Sequence, residues 1–330
     1  MRNAWIKLLF NIGLVVLFFG LGACSDEPQI DLNEIGIDTE LKRFDQAFFE
    51  SDTANFEQAL KDLERDYLPF FSSKAEFVFW ENQRRDPLQL ELYSKVKSVF
   101  GDMSAYEQAL NDVVKRYYYY FGEQDSLKVY SYISRLDFNF PIVLSPPYLF
   151  VATDMYLGEP GKEFYASLPQ YLQFERQEHF LLRDIAYALA LNQVKSPEDP
   201  ASLLEQMIYH GKVLYTAKRL YPAMDEAQLL KYPESKLRFS EEHEKEMWVY
   251  FIENELLFKS SQELSRRFLD VAPFSKFRTD IDQETPGRIG RWFGYKIVKA
   301  YAEEAPIENW QELLAEDDAR KILKLSGYKP

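Results

Sequence analysis

Apolar residues recur at helical spacing along most of the chain. From Leu41 onward, Phe44, Phe48 and Phe49 are followed by Phe56, Leu60 and Leu63, a spacing that turns phenylalanines toward a core. Leu88 to Val99 follows Pro87, which suits the first turn of a helix. Ser104 to Tyr117 opens on Ser104-x-x-Glu107, the spacing of a capping box. The pattern then changes. Val129-Tyr130-Ser131-Tyr132-Ile133, Pro141 to Leu144 and Tyr148 to Thr153 are β-branched and aromatic, and predict two or three strands of a small sheet over about residues 128–153. Asp154-Met155-Tyr156-Leu157-Gly158 leaves that sheet, and Tyr117 to Phe121 reads as a strand or helix end packing amphipathic rings. Helical spacing returns in Leu181 to Asn192, Leu203 to Tyr221, Ser240 to Phe258, Pro286 to Ala302 and Glu312 to Leu323. Ser240 is the expected N-cap of its helix, with acids in the first turn. The prediction is an α+β fold, mainly helical with a small sheet, in a single domain over 39–330.

The chain start follows different rules. Arg2 and Lys7 precede an apolar run, Leu8 to Leu21, too short for a permanent span, and the pattern reads as a secretory signal. Leu21-Gly22-Ala23-Cys24 resembles a bacterial lipobox. That resemblance implies removal of residues 1–23 and acylation of Cys24; the alternative is an uncleaved anchor or an unmodified cysteine. Residues 24–38 then form a polar tether. Two or more acyl chains, at ~0.8 kcal/mol per buried CH₂, hold a protein on a membrane. Ser25 after the lipid site is compatible with an outer-membrane protein facing the periplasm, so the expected location is the cell envelope.

Composition trims the functional classes. Fifty-three acids against 39 bases give a net charge of −14, which disfavours nucleic acid as a partner. Mean hydropathy of −0.37 argues against a polytopic membrane protein. The single cysteine is the lipid site, and the three histidines leave little for metal binding. No Gly-x-Ser-x-Gly, P-loop or Gly-x-Gly-x-x-Gly occurs. A zincin helix needs His-Glu-x-x-His, and the nearest match is His243-Glu244-Lys245-Glu246-Met247, with a thioether in place of the second imidazole. His179 and His210 lack a second histidine at helical spacing. Glu205 sits among Leu203, Leu204, Met207 and Ile208, and is expected either to pair with an arginine or to be the relic of a site. Near the C-terminus, Gly287, Gly290 and Gly294 would allow close helix approach. Arg288 and Arg291 would clamp carboxylates such as Glu205 or Glu253, and Trp292 is an anchor. With His210, these three form a possible binding or structural cluster.

Several stretches together resemble the gliding-motility lipoprotein GldB family of Bacteroidota. They are the lipobox, the Tyr-Phe-Gly turn near Phe121, Asp154 to Gly158, Leu203 to Lys212, Met247-Trp248 to Asn254 and Pro286-Gly-Arg-Ile-Gly-Arg-Trp292. The resemblance covers nearly the whole mature chain. It implies an envelope lipoprotein needed for surface gliding, partnered by proteins of the type IX secretion and motility machinery. The same chain order also resembles predicted zincin-type peptidases. In that resemblance the metal helix falls on Leu204-Glu205-x-x-Ile208, with Glu246 as counterpart of the third ligand. Both histidines are then aliphatic, implying a zincin-like scaffold with a degenerate site and no catalytic residue, metal or cofactor. The expected mode of action is protein binding; the alternatives are a residual zincin-like metallopeptidase and an envelope chaperone or assembly factor.

Overall fold

A four-stranded mixed sheet separates a large apolar core from a smaller aromatic one. Its strands are β1 (Leu41–Arg43), β2 (Lys128–Tyr132), β3 (Ile142–Ser145) and β4 (Tyr148–Ala152), in the order β1-β2-β4-β3. β1, β2 and β4 are parallel, with Val129 opposite both Leu41 and Leu149. β3 turns back antiparallel onto β4, pairing Ile142 with Val151. Because side chains alternate along a strand, Val129, Leu149 and Val151 enter the large core while Tyr130, Tyr132 and Phe150 face the aromatic one. Three strands stand over 128–152, where two or three were expected. The fourth, β1, stands where helical patterning begins, because three residues are too few for alternation to register.

The computed structural model describes residues 30–71, 75–122, 126–280, 282–304 and 310–330. The leader, Cys24 and the tether up to residue 29 lie outside the described residues, and Asp31–Pro330 forms one unit.

Helices α1 (Phe44–Phe49), α2 (Phe56–Asp66) and α3 (Phe77–Arg85) gather Phe44, Phe48, Phe56, Leu63 and Trp80 into the aromatic core, where Phe44 stacks on Phe70 with centroids 4.0 Å apart. Asp86 caps α4 (Pro87–Phe100) by accepting the Gln89 N–H at 3.1 Å, and Pro87 takes the first turn as expected. Helix α5 (Ser104–Phe121) corrects the expected capping box. Ser104 is already helical, and it is Asp102 that accepts its N–H, at 2.9 Å. The tyrosine run is the last turns of α5, with Tyr117 buried, Tyr119 exposed and Gly122 closing the helix at φ +61°.

Asp154 to Gly158 makes a tight exit from β4. The buried Asp154 carboxylate accepts the N–H groups of Ser134 (2.9 Å) and Leu136 (2.8 Å). The Tyr165 hydroxyl donates to Asp154 O at 2.6 Å and accepts the Leu157 N–H at 3.1 Å. Met155, Tyr156 and Leu157 are fully buried.

The C-terminal half contains α6 (Gln170–Phe174), α7 (Leu181–Gln193), α8 (Leu203–Leu220), α9 (Glu226–Leu230), α10 (Glu234–Glu242), α11 (Glu244–Glu253), α12 (Gln262–Phe268), α13 (Ile289–Glu304), α14 (Trp310–Ala315) and α15 (Ala319–Leu325). The helix expected over Ser240 to Phe258 is two helices broken at His243. Ser240 is no cap: its hydroxyl donates back to Lys236 O at 2.8 Å inside α10. The last long helix starts at Ile289 rather than Pro286, because Arg288 takes a left-handed φ of +60°. Helix α8 packs against α7 on one side and α13 on the other, and the glycines expected to permit close approach do so. A Cβ on Gly290 would fall 2.8 Å from Leu269 Cδ2, and one on Gly287 only 1.9 Å from Ala272 O.

Candidate functional site

The two aliphatic positions of the expected metal helix are core residues. Leu204 is 0 % and Ile208 3 % exposed, both packed in the large cluster. Glu205 between them points elsewhere. Its Oε2 accepts the Ser202 N–H and hydroxyl, each at 2.6 Å, while its own N–H donates to Ser202 Oγ at 3.3 Å. This is a capping box at the start of α8, and it replaces the expected arginine partner. A glutamate at the third helical position reaches back over the N-terminus, so its apolar neighbours do not define its face. Glu246 is exposed in the first turn of α11 and lines neither of the pockets beside α8. Among the described residues no group of three or more His, Cys, Asp or Glu is arranged to hold a metal ion.

Arg288 and Arg291 lie within electrostatic range of His210, and the partners of Arg288, Arg291 and Trp292 differ from those expected. Arg288 Nη2 donates to Glu175 at 2.7 Å, not to Glu205 or Glu253. Arg291 Nε donates to the Leu269 carbonyl at 2.7 Å. The fully buried Trp292 ring donates Nε1–H to Glu226 at 3.0 Å. His210 Nδ1 is buried without a hydrogen-bond partner. Burial, reinforced by Arg291 and Arg288, pushes the His210 pKa down to about 3, so the imidazole is neutral at physiological pH.

Through Glu175, Arg288 joins a larger buried ionic cluster that spans the ends of α6 and α9 and the start of α7. Arg183 donates Nη1–H to Asp184 at 2.9 Å and Nε–H to Leu229 O at 2.8 Å. Lys231, closing α9 at φ +54°, donates to Asp184 at 2.7 Å and lies 3.7 Å from Glu175. The buried Tyr156 hydroxyl donates to Asp184 at 2.8 Å, tying the β4 exit to α7. Burial works against the Asp184 charge, but Lys231 and Arg183 outweigh it and hold the carboxyl below its usual range. Glu175 is held down in the same way, burial being outweighed by Arg288 and Lys231. Two carboxylates therefore serve Arg183, Lys231 and Arg288, and Arg291 stands beside them.

A pocket of about 500 Å³ is lined by Asp199, Gln206, Tyr209, His210, Ser261 and Ser265 among others. Both Tyr209 and His210 feel the Arg291 charge. A second pocket, of about 290 Å³, is lined by Lys195, Glu205, Tyr209, Lys212 and Asp317. Its buried cation is engaged: Lys212 Nζ donates to Glu316 O at 2.6 Å and Leu314 O at 3.1 Å.

Sequence reasoning missed Glu175, Arg183, Asp184, Tyr187 and Lys231. One signal was available, since Arg183-Asp184 interrupts Leu181-Leu182 and Ile185-Ala186 on a helix with little room for a solvated face. Glu175 and Lys231 lie at helix ends, where charge is ordinary and burial leaves no local trace.

A family model described as gliding motility protein GldB matches residues 25–330. No curated protein matches, and no solved structure matches.

Proposed function

The chain belongs to the family of the gliding motility protein GldB, which ties it to gliding motility and to the cell envelope, and from that premise we propose that it is a lipid-anchored binding component of the motility apparatus. Acyl chains on Cys24 hold it on a membrane, and the polar stretch that follows Cys24 lets the folded domain reach its partners on the periplasmic side of the outer membrane. The partners are proteins of the type IX secretion and motility machinery. No described helix is long and apolar enough to cross a membrane.

The observation that carries the binding reading is the burial of Leu204 and Ile208 in the core, where a zincin-like scaffold aligned on α8 would need imidazoles. The neighbouring polar residues have other work, Glu205 in a helix cap and Asp184 between two cations. On α7, Arg183-Asp184-x-x-Tyr187 has the spacing of a metal helix with a guanidinium and a phenol in place of both imidazoles. Such a set suits holding a ligand and not activating water.

Crosslinking in living cells, with mass spectrometry of the captured protein, tests the partner class: the expected capture is a fixed component of the machinery, and a spread of unfolded clients would point to a chaperone. Cys24→Ser is expected to leave the membrane fraction and to stop gliding. Wild-type fractionation and movement in that variant would refute the tether. Stoichiometric zinc in the purified chain, with proteolysis that a chelator abolishes, would restore the peptidase reading.

A further inference from the structure

The buried ionic cluster holds more positive charge than its carboxylates neutralise. Arg183, Lys231 and Arg288 share two buried carboxylates, Glu175 and Asp184, and Arg291 follows Arg288 within one turn. The half-buried Glu226 accepts the Trp292 N–H. Arg291 has no ion pair among the described residues, and its one hydrogen bond in the protein is from Nε to the Leu269 carbonyl. A partly buried guanidinium without a counter-ion gains by binding an anion.

The unused donors converge. Arg288 stands just before α13 and Arg291 in its first turn, and the Arg291 backbone N–H donates to the Arg288 carbonyl at 2.8 Å, which keeps the two close. Arg183 and Tyr187 are four apart on α7, and the Arg183 guanidinium carbon lies 4.4 Å from the Tyr187 ring centre. Arg288 has Nη2 on Glu175, and Arg183 has Nε and Nη1 engaged, which leaves N–H groups free on all three arginines. The Tyr187 hydroxyl makes no hydrogen bond in the protein. Tyr187 lies within electrostatic range of both Arg288 and Arg291, and Arg291 acts on the Tyr209 and His210 side chains.

We propose that Arg183, Arg288 and Arg291, with the Tyr187 hydroxyl, bind a phosphate-type oxyanion. A surplus of two charges and several forked donors match an oxyanion with three or four oxygens better than a monocarboxylate. The ligand is free phosphate or a phosphomonoester. The site deepens the binding reading, giving the domain a ligand that it holds without chemistry.

The test is thermal unfolding of the full chain in detergent, in sodium phosphate, glycerol phosphate, acetate or chloride at matched ionic strength. Phosphate is expected to raise the midpoint by about 3 °C, and acetate not to. A larger shift with glycerol phosphate identifies the source as a phosphomonoester; an equal or smaller one identifies free phosphate. Arg291→Met is expected to abolish the shift while melting in chloride no lower than the wild type, since it removes an unneutralised charge. Arg291→Lys, which keeps the charge and loses the fork, should at least halve the shift. Identical melts in phosphate and chloride, or a full phosphate shift in Arg291→Met, would overturn the site. Zinc in the purified chain would sink the binding reading and leave these melts unchanged.

Discussion

Gly211 of α8 and Gly294 of α13 lie backbone against backbone. A Cβ on Gly211 would sit 2.2 Å from Gly294 O, and one on Gly294 would sit 1.7 Å from Met207 O. Neither obstacle is a side chain that can rotate away, so the two helices would have to separate along the whole of their contact. Gly294→Ala is therefore expected to destabilise the fold by about 3 kcal/mol or more, read as a loss of soluble protein or a fall in denaturation midpoint. Gly36→Ala, with nothing within 4 Å of the added methyl, is the neutral control. Equal midpoints for the two variants would contradict the close crossing.

The capping box makes Glu205 separable from any catalytic role. Ser202→Ala removes the hydroxyl that accepts the Glu205 N–H and should cost about 1 kcal/mol. Glu205→Gln keeps an acceptor for the Ser202 N–H, so it should change stability by only a few tenths of a kcal/mol and leave gliding intact. Complete loss of gliding in a stable Glu205→Gln protein would return the residue to chemistry.

How much the sequence made legible depends on where information about a contact resides. Periodicity located α5, α7, α8 and α13 and the strands β2 to β4, because each is long enough for its apolar face to repeat. Gly290 and Gly294 could be read because only a missing side chain explains glycine inside a helix. Partner choice was not legible. Arg288 was expected on Glu205 or Glu253, yet it meets Glu175, 113 residues away in sequence at the end of α6. Ser240 and Ser104 carry the composition of caps, but the chain breaks at His243 and starts after Met103, and such boundaries are set by neighbours rather than by local preference. The placement of metal positions on Leu204 and Ile208 failed to mark the polar cluster for a related reason: it lies on α7, the preceding helix, where burial of Arg183 and Asp184 depends on α9 closing over them.

His210 gives the fold a pH dependence of known sign. Its folded-state pKa, about 3, lies below the ordinary value near 6.5 because burial and the two arginines disfavour the imidazolium. As pH falls through 6.5 the unfolded chain takes up the proton first. The stability contributed by the neutral ring is present above pH 6.5 and is lost progressively toward pH 3, with a slope of up to about 1.4 kcal/mol per pH unit. His210→Gln, which cannot titrate, should show a shallower fall in unfolding free energy between pH 6 and 4. Parallel curves for variant and wild type would show that His210 titrates normally in the folded chain.

The charge surplus also ranks two substitutions that a simple count of salt bridges would treat alike. Lys231 and Asp184 share a 2.7 Å bond, so losing either one breaks the same contact. Their consequences differ. Asp184→Asn leaves Arg183, Lys231, Arg288 and Arg291 with Glu175 as the one buried carboxylate near them, and removes the acceptor of the Tyr156 hydroxyl's charge-assisted bond. Lys231→Met leaves three arginines with two carboxylates, which is closer to neutrality than the native cluster. Position 231 holds a left-handed φ of +54° that lysine and methionine tolerate equally, so backbone strain does not enter the comparison. Asp184→Asn should cost about 3–5 kcal/mol, the usual range for an uncompensated buried charge, and Lys231→Met less than half of that. Denaturant unfolding of both variants at pH 7 decides the order, and a larger loss for Lys231→Met would mean that the cluster is short of positive charge instead of carrying an excess.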